Sequence, residues 1–134
     1  MTSPAQFLNE KLKRWDFFGE CILWEFHSTR FGYGLDLSFN YVWDGRGRVR
    51  EDTLERPMLY VFHLLGVDSI RFSAGFKSAQ ADPGMVDWGY GEVARVEAFD
   101  SAVGYGLSAR WEGRQRLDVE FNDYILLSPE GNPL

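Results

Sequence analysis

The stretch that decides the fold runs from Met58 to Phe72 and reads Met-Leu-Tyr-Val-Phe-His-Leu-Leu-Gly-Val-Asp-Ser-Ile-Arg-Phe. Its first half is apolar on both alternating faces, which is typical of a strand covered on both sides in the middle of a sheet. Tyr, Val and Phe at its centre favour a strand over a short buried helix. Gly66 to Ser69 then predict a turn, and the alternating Ile70 and Phe72 predict a strand that returns beside the first.

Further alternating stretches supply the other strands. The clearest is 35–43, which predicts a half-buried strand forming an antiparallel hairpin with a strand at 20–28. Later strands are predicted at 92–99, 105–111, 117–121 and 124–127. The pattern predicts a mainly β protein, either an antiparallel β-sandwich or a strongly bent sheet, of about seven strands with one N-terminal capping helix.

The predicted helix covers residues 3–15. Ser3 can cap it, Pro4 stands at its first position, and Gln6 is at the capping-box position. One face is predicted to be apolar and to carry Phe7, Leu8, Leu12 and Trp15. That face fits a helix covering one side or end of the sheet better than a partner-binding helix. Residues 1–134 are predicted to be a single domain, with the β core at 20–127 and a tail at 128–134.

Charge and composition narrow the classes of function. The chain has 14 basic and 20 acidic residues and a formal net charge of −6. This balance argues against a nucleic-acid-binding surface, which needs clustered Lys and Arg, and is compatible with a basic protein partner. We find neither a signal-peptide-like apolar run nor a span of about 18 apolar residues. With Cys21 as the single cysteine, the chain is predicted to be cytoplasmic, without a membrane role.

No residue pattern indicates catalysis. Cys21 lies between acidic Glu20 and apolar Ile22, so we expect a buried structural thiol rather than a nucleophile. His27 and His63 lie on separate predicted strands, and with Cys21 they do not form a metal-ligand cluster. His63 is expected in the core, bonded to backbone or to a tyrosine. We therefore predict no catalytic residue, no metal and no cofactor, although sequence alone cannot pair the carboxylates that a small hydrolase would need.

The arginine-rich segment 44–57 could suggest a phosphate-binding loop. Such a loop needs glycines that lead from a strand into a helix, and no helix is predicted here. Its arginines are also interspersed with carboxylates. We therefore expect a solvated loop.

The strongest candidate for a binding surface is the segment 82–92. It combines two aromatic side chains with three carboxylates, a composition found at protein-binding hot spots, and the predicted partner-binding residues are Asp82, Asp87, Trp88, Tyr90 and Glu92. Three alternatives remain open. The aromatic rings could stack on a sugar, fold inward to close the end of the sandwich, or belong to a homodimer interface.

The order of several motifs resembles a family of small all-β bacterial immunity proteins of polymorphic toxin systems. The motifs are Phe18-Gly19-Glu20-Cys21-Ile22, Leu35-Asp36-Leu37-Ser38-Phe39, Leu59-Tyr60-Val61-Phe62-His63-Leu64-Leu65-Gly66-Val67 and Leu117-Asp118-Val119-Glu120-Phe121. The resemblance spans most of residues 15–127 and implies a non-catalytic protein that binds and neutralises a cognate toxin by occluding it. Partners vary across such families, so no functional residue is carried over. The alternative function is a small-ligand or carbohydrate-binding β-sandwich.

Overall fold

The computed structural model describes residues 2–44, 46–53, 55–73, 93–111 and 115–134. These residues form one N-terminal α-helix and eight strands in two four-stranded antiparallel sheets. The mainly β class and the sandwich or bent-sheet architecture are thereby confirmed. None of the helices in these ranges is long and apolar enough to cross a membrane.

Each sheet mixes strands from distant parts of the chain. The first sheet contains, in spatial order, β1 (Ile22–Thr29), β2 (Gly34–Asn40), β3 (Leu59–Leu65) and β8 (Asp123–Leu127). The second contains, in spatial order, β4 (Ser69–Ser73), β7 (Arg116–Phe121), β6 (Gly104–Trp111) and β5 (Val93–Ser101). The predicted β1–β2 hairpin is confirmed, and β3 lies inside its sheet as expected.

The strand after Gly66 corrects the sequence-based prediction. Instead of returning beside β3, β4 pairs with β7 in the other sheet. Gly66 has a φ of +62°, which favours glycine, and turns the chain out of the first sheet. At this corner the Asn122 amide donates to the Leu65 carbonyl at 3.0 Å, and the Asp68 amide donates to the Glu120 carbonyl at 2.8 Å. The chain therefore passes from the first sheet to the second at this corner.

One hydrophobic core lies between the sheets. Its buried members include Leu37, Phe39, Phe62 and Leu64 from the first sheet and Val96, Leu107, Val119 and Phe121 from the second. Phe18 enters the core from the N-terminal segment, with its ring 5.5 Å from that of Phe39 and 5.8 Å from that of Phe62. Full burial of one such side chain stabilises the fold by about 2–3 kcal/mol.

The helix α1 (Pro4–Leu12) begins as its sequence predicts. Ser3 accepts a hydrogen bond from the Gln6 amide, and the Gln6 side chain accepts one from the Ser3 amide, which completes the capping box. A 3₁₀ segment, Lys13–Phe18, follows directly. The predicted helix at 3–15 is therefore α-helical only as far as Leu12.

The prediction that Phe7 lies on the buried apolar face of the helix is wrong. Phe7 is 61% exposed, whereas Leu8 and Leu12 are fully buried. The buried stripe follows helical spacing, and Phe7 precedes Leu8 by one residue, so it points about 100° away from the stripe. The helix is also held to β5, because the Asn9 side chain accepts from the Ala98 amide at 2.7 Å and donates to its carbonyl at 3.1 Å.

The second strand is buried on both faces, which corrects the prediction of a half-buried strand. Leu35, Leu37 and Phe39 face the core, while Asp36, Ser38 and Asn40 on the opposite face are also buried. The polar side chains thus lie on the outer face of the first sheet, meaning the face away from the shared core, without being open to solvent. Polar groups in such a position need partners within the protein.

The loop after β2 supplies partners for Asn40. Its Nδ2 donates to the Thr53 carbonyl at 2.8 Å, and its Oδ1 accepts from the Met58 amide at 3.0 Å. Arg50 also donates to this oxygen, at 3.1 Å, and to the Tyr41 carbonyl, at 2.7 Å. Arg50 is therefore a structural clamp, and the expectation of a wholly solvated loop is wrong at this residue.

Candidate functional site

One row of side chains crosses all four strands of the first sheet on its outer face. In spatial order from β1 to β8 the row consists of His27, Asp36, His63 and Ile125. Directly opposed residues of antiparallel strands have their Cβ atoms about 4.5–5.5 Å apart, so they can contact one another. The sheet thereby brings both histidines of the chain to a single carboxylate.

The contacts within the row are specific. His63 Nδ1 is 2.5 Å from Asp36 Oδ1, and His27 Nε2 is 3.5 Å from Asp36 Oδ2. The Asp36 side chain is only 12% exposed, whereas the His63 side chain is 35% exposed. His63 is thus a half-exposed partner of a buried carboxylate, and the prediction of a core histidine bonded to backbone or tyrosine is wrong.

A bulge in β1 helps to place His27 in this row. The pairing of β1 with β2 shifts by one residue between Leu23 and Glu25, so strict alternation does not continue through the strand. Leu23 is buried in the core before the shift, and His27 is exposed after it. Sequence alternation alone therefore assigns the faces of this strand incorrectly.

A cleft of about 330 Å³ opens beside the row. Its lining residues are Thr29, Arg30, Asp36, His63, Leu65 and Ile125. Gly34 makes room for one of them, because a Cβ atom at this position would lie 2.2 Å from the Thr29 Oγ1 atom. The cleft therefore combines a hydroxyl, a guanidinium and an imidazole with an apolar wall.

The β1–β2 hairpin tip borders the cleft and presents two aromatic side chains. Phe31 is fully exposed and Tyr33 is 71% exposed. Arg30 and Phe31 have φ values of +48° and +57°, a left-handed conformation that costs a non-glycine residue about 1 kcal/mol or more. The Tyr33 carbonyl accepts from the Val67 amide at 2.9 Å, which fixes the base of the tip. We call Arg30, Phe31 and Tyr33 the tip surface.

The predicted partner-binding residues Asp82, Asp87, Trp88, Tyr90 and Glu92 all lie outside the residues that the structure describes. Their role stays a prediction. The tip surface and the histidine row are instead sites that the sequence did not single out.

Cys21 is fully buried, as its sequence context predicts. Desolvation by burial raises the pKa of its thiol to about 11, which disfavours the thiolate needed for nucleophilic attack. Within the described ranges, no group of three or more His, Cys, Asp or Glu side chains has an arrangement that could hold a metal ion.

The contact between His27 and Asp36 could have been predicted from the sequence. His27 and Asp36 are equally far from the centre of the hairpin turn, so a symmetric hairpin places them opposite each other. His63 offered no such signal, because a long connection between β2 and β3 leaves their register undetermined by local sequence.

Comparison with protein-family models, with curated proteins and with solved structures gave no match.

Proposed function

We propose that this chain is a non-catalytic protein-binding domain of the immunity type, which neutralises a toxin by covering it. The observation that carries the proposal is the tip surface. Phe31 contributes nothing to the core, exposes its whole ring and occupies a strained backbone position. Burial of this ring by a partner would turn an unfavourable feature of the free protein into binding free energy.

The chemistry of the tip surface supports a protein partner. Tyr and Arg are enriched at the residues that dominate binding energy in protein interfaces, and a nearby rigid aromatic ring adds apolar area at low entropic cost. The tip surface is continuous with the exposed Ile125 of the cleft, which would extend the buried area. The partner would therefore present an apolar pocket beside an acceptor for the Arg30 guanidinium.

The net charge of −6 supports the choice of a basic partner, since opposite net charges speed association and make it salt-dependent. In this proposal Asp82, Asp87 and Glu92 steer the partner, Trp88 and Tyr90 add aromatic contacts, and binding takes place in the cytoplasm. Occlusion of the partner's active site would then require no catalytic residue in this chain.

The test is capture of proteins from the source organism's lysate at low and high salt, with Phe31→Ala compared with Phe7→Ala. Both variants remove an exposed phenyl ring, but Phe7 lies on α1, away from the tip. We expect a basic protein that is retained at low salt by the wild type and by Phe7→Ala, and lost by Phe31→Ala. For the purified pair, we expect Phe31→Ala to weaken binding by about 2 kcal/mol, roughly 30-fold.

Stability separates binding from folding in this test. Because Phe31 is fully exposed, Phe31→Ala should leave the melting temperature close to that of the wild type. Equal capture by the two variants would contradict the role of the tip. A partner without excess basic charge, or one whose retention does not depend on salt, would contradict the electrostatic part of the proposal.

A further inference from the structure

We propose that the cleft beside the histidine row binds a small 2-hydroxy carboxylic acid with an apolar substituent. The proposal concerns a different ligand from the protein partner above and does not rest on it. The cleft volume of about 330 Å³ falls at the lower end of the range that small-molecule sites occupy. Three features of its lining select the ligand's groups.

The first feature is an oriented hydrogen-bond acceptor. The Asp36 carboxylate, 2.5 Å from His63 Nδ1, can only accept, so Nδ1 carries the proton of the neutral imidazole. The other ring nitrogen, Nε2, is then an acceptor with a lone pair available to a ligand. Asp36 Oδ1 is already engaged by His63, and Nε2 offers the ligand an acceptor without a negative charge. A ligand hydroxyl, which donates one hydrogen bond, matches it.

The second feature is an available cation. The guanidinium of Arg30, a residue that lines the cleft, has no ion-pair or hydrogen-bond partner within the described part of the chain. A guanidinium binds a carboxylate through two parallel hydrogen bonds, and the Thr29 hydroxyl, which lies over Gly34, can add a third donor. Since Asp36 already contributes one negative charge, a monoanion suits the site better than a dianion such as phosphate.

The third feature is the apolar wall formed by Leu65 and Ile125. Ile125 is 43% exposed although it belongs to the same row as the buried Asp36. A hydrocarbon group on the ligand would bury this surface and gain about 25 cal/mol per Å². A carboxylate, a hydroxyl and an apolar group bonded to one carbon atom make a 2-hydroxy acid with an aliphatic or aromatic substituent.

Three probes differ at a single position and separate these features: mandelate, phenylacetate and phenylglycine. They are titrated into the full chain by calorimetry at about pH 8, above the ordinary pKa of histidine. We expect mandelate to bind about fivefold tighter than phenylacetate, the value of one hydrogen bond of about 1 kcal/mol. Phenylglycine should bind more weakly than mandelate where the ligand's donor meets the neutral Nε2. Tighter binding of phenylglycine would place that donor on the Asp36 carboxylate and overturn the assignment. Equal affinities for mandelate and phenylacetate, or no saturable binding of mandelate, would overturn the proposal.

Variants of the two histidines test whether His63 Nε2 causes the preference for mandelate over phenylacetate. His63→Gln should abolish the difference between mandelate and phenylacetate, while His27→Gln, a matched control on the other oxygen of Asp36, should keep it. Arg30→Gln should weaken both acids. Phe31→Ala should leave mandelate binding unchanged, because Phe31 does not line the cleft, although Arg30 belongs to both the cleft and the tip surface.

The tautomer of His63 can be measured without any ligand or variant. Long-range ¹H–¹⁵N spectra of the wild-type imidazole should report a proton on Nδ1 and none on Nε2 at about pH 8. A proton on Nε2 would remove the acceptor on which the proposal depends and would overturn it.

Discussion

The outer faces of the two sheets both carry carboxylates on an inner strand, but these carboxylates have different partners. On the first sheet, Asp36 lies between two histidines, and Arg30 beside it has no ion-pair partner among the residues described. On the second, Arg116 bonds Asp118 at 2.7 Å, and hydroxyls of Ser69 and Ser101 bond Glu120 at 2.8 Å each.

This difference separates a site from a supporting face. An arginine paired with a carboxylate uses both charges within the protein, and such exposed pairs contribute little to stability. A histidine paired through Nδ1 keeps a second nitrogen for a ligand, and an unpaired arginine keeps its charge. The first face therefore retains binding capacity, while the second uses its charges internally.

The largest expected effect tests whether the polar side chains of the first face are needed for folding. Asn40→Ala removes a fully buried amide that bonds the Thr53 carbonyl and the Met58 amide, and should lower the free energy of unfolding by about 3 kcal/mol. The matched control is Ser108→Ala on β6. Its buried hydroxyl has no hydrogen-bond partner among the residues that the structure describes, so its removal should be neutral or slightly stabilising. Urea denaturation of both variants measures this, and similar losses would erase the proposed difference between the faces.

The next effect compares the two carboxylates directly. Asp36→Ala should lower the free energy of unfolding by about 1–3 kcal/mol, because it leaves the His63 Nδ1 proton without its acceptor beside a buried site. Asp118→Ala should cost less than about 1 kcal/mol, because its partner Arg116 is exposed enough to be solvated. A costlier Asp118→Ala, measured by the same denaturation, would show that the arginine pairs of the second face also support the fold.

The smallest effect is a pH dependence on the second face. Hydrogen bonds from Ser101 and Ser69, together with the charge of Arg71, lower the pKa of Glu120 below its ordinary value of 4.5. A carboxyl with a lowered folded-state pKa contributes stability above its unfolded pKa and loses it as pH falls through the folded pKa. Stability of the wild type should therefore decrease below about pH 4.5, and Glu120→Gln should show a shallower decrease. Thermal melts measure this, and an equal decrease of the melting temperature with falling pH in the two proteins would contradict the contribution of Glu120.

Local sequence predicted the parts of the fold that depend on periodicity and short turns. Alternation identified the strands, and the capping box set the start of α1. A short turn fixed the β1–β2 hairpin. Such features involve neighbouring residues, so their geometry is encoded where they occur. Sequence failed where distant segments meet: β4 joins β7 instead of β3, because the corner at Gly66 and Asn122 directs it to the other sheet.

The same division applies to function. The sequence by itself determined an acidic, aromatic-rich β protein with a buried cysteine and no catalytic motif. Only the tertiary structure decided that Asp36 is buried between His27 and His63, and that the hairpin tip presents Phe31. Register between strands that are far apart in sequence depends on how whole faces pack. An alternating pattern predicts a strand but does not specify which other strand pairs with it.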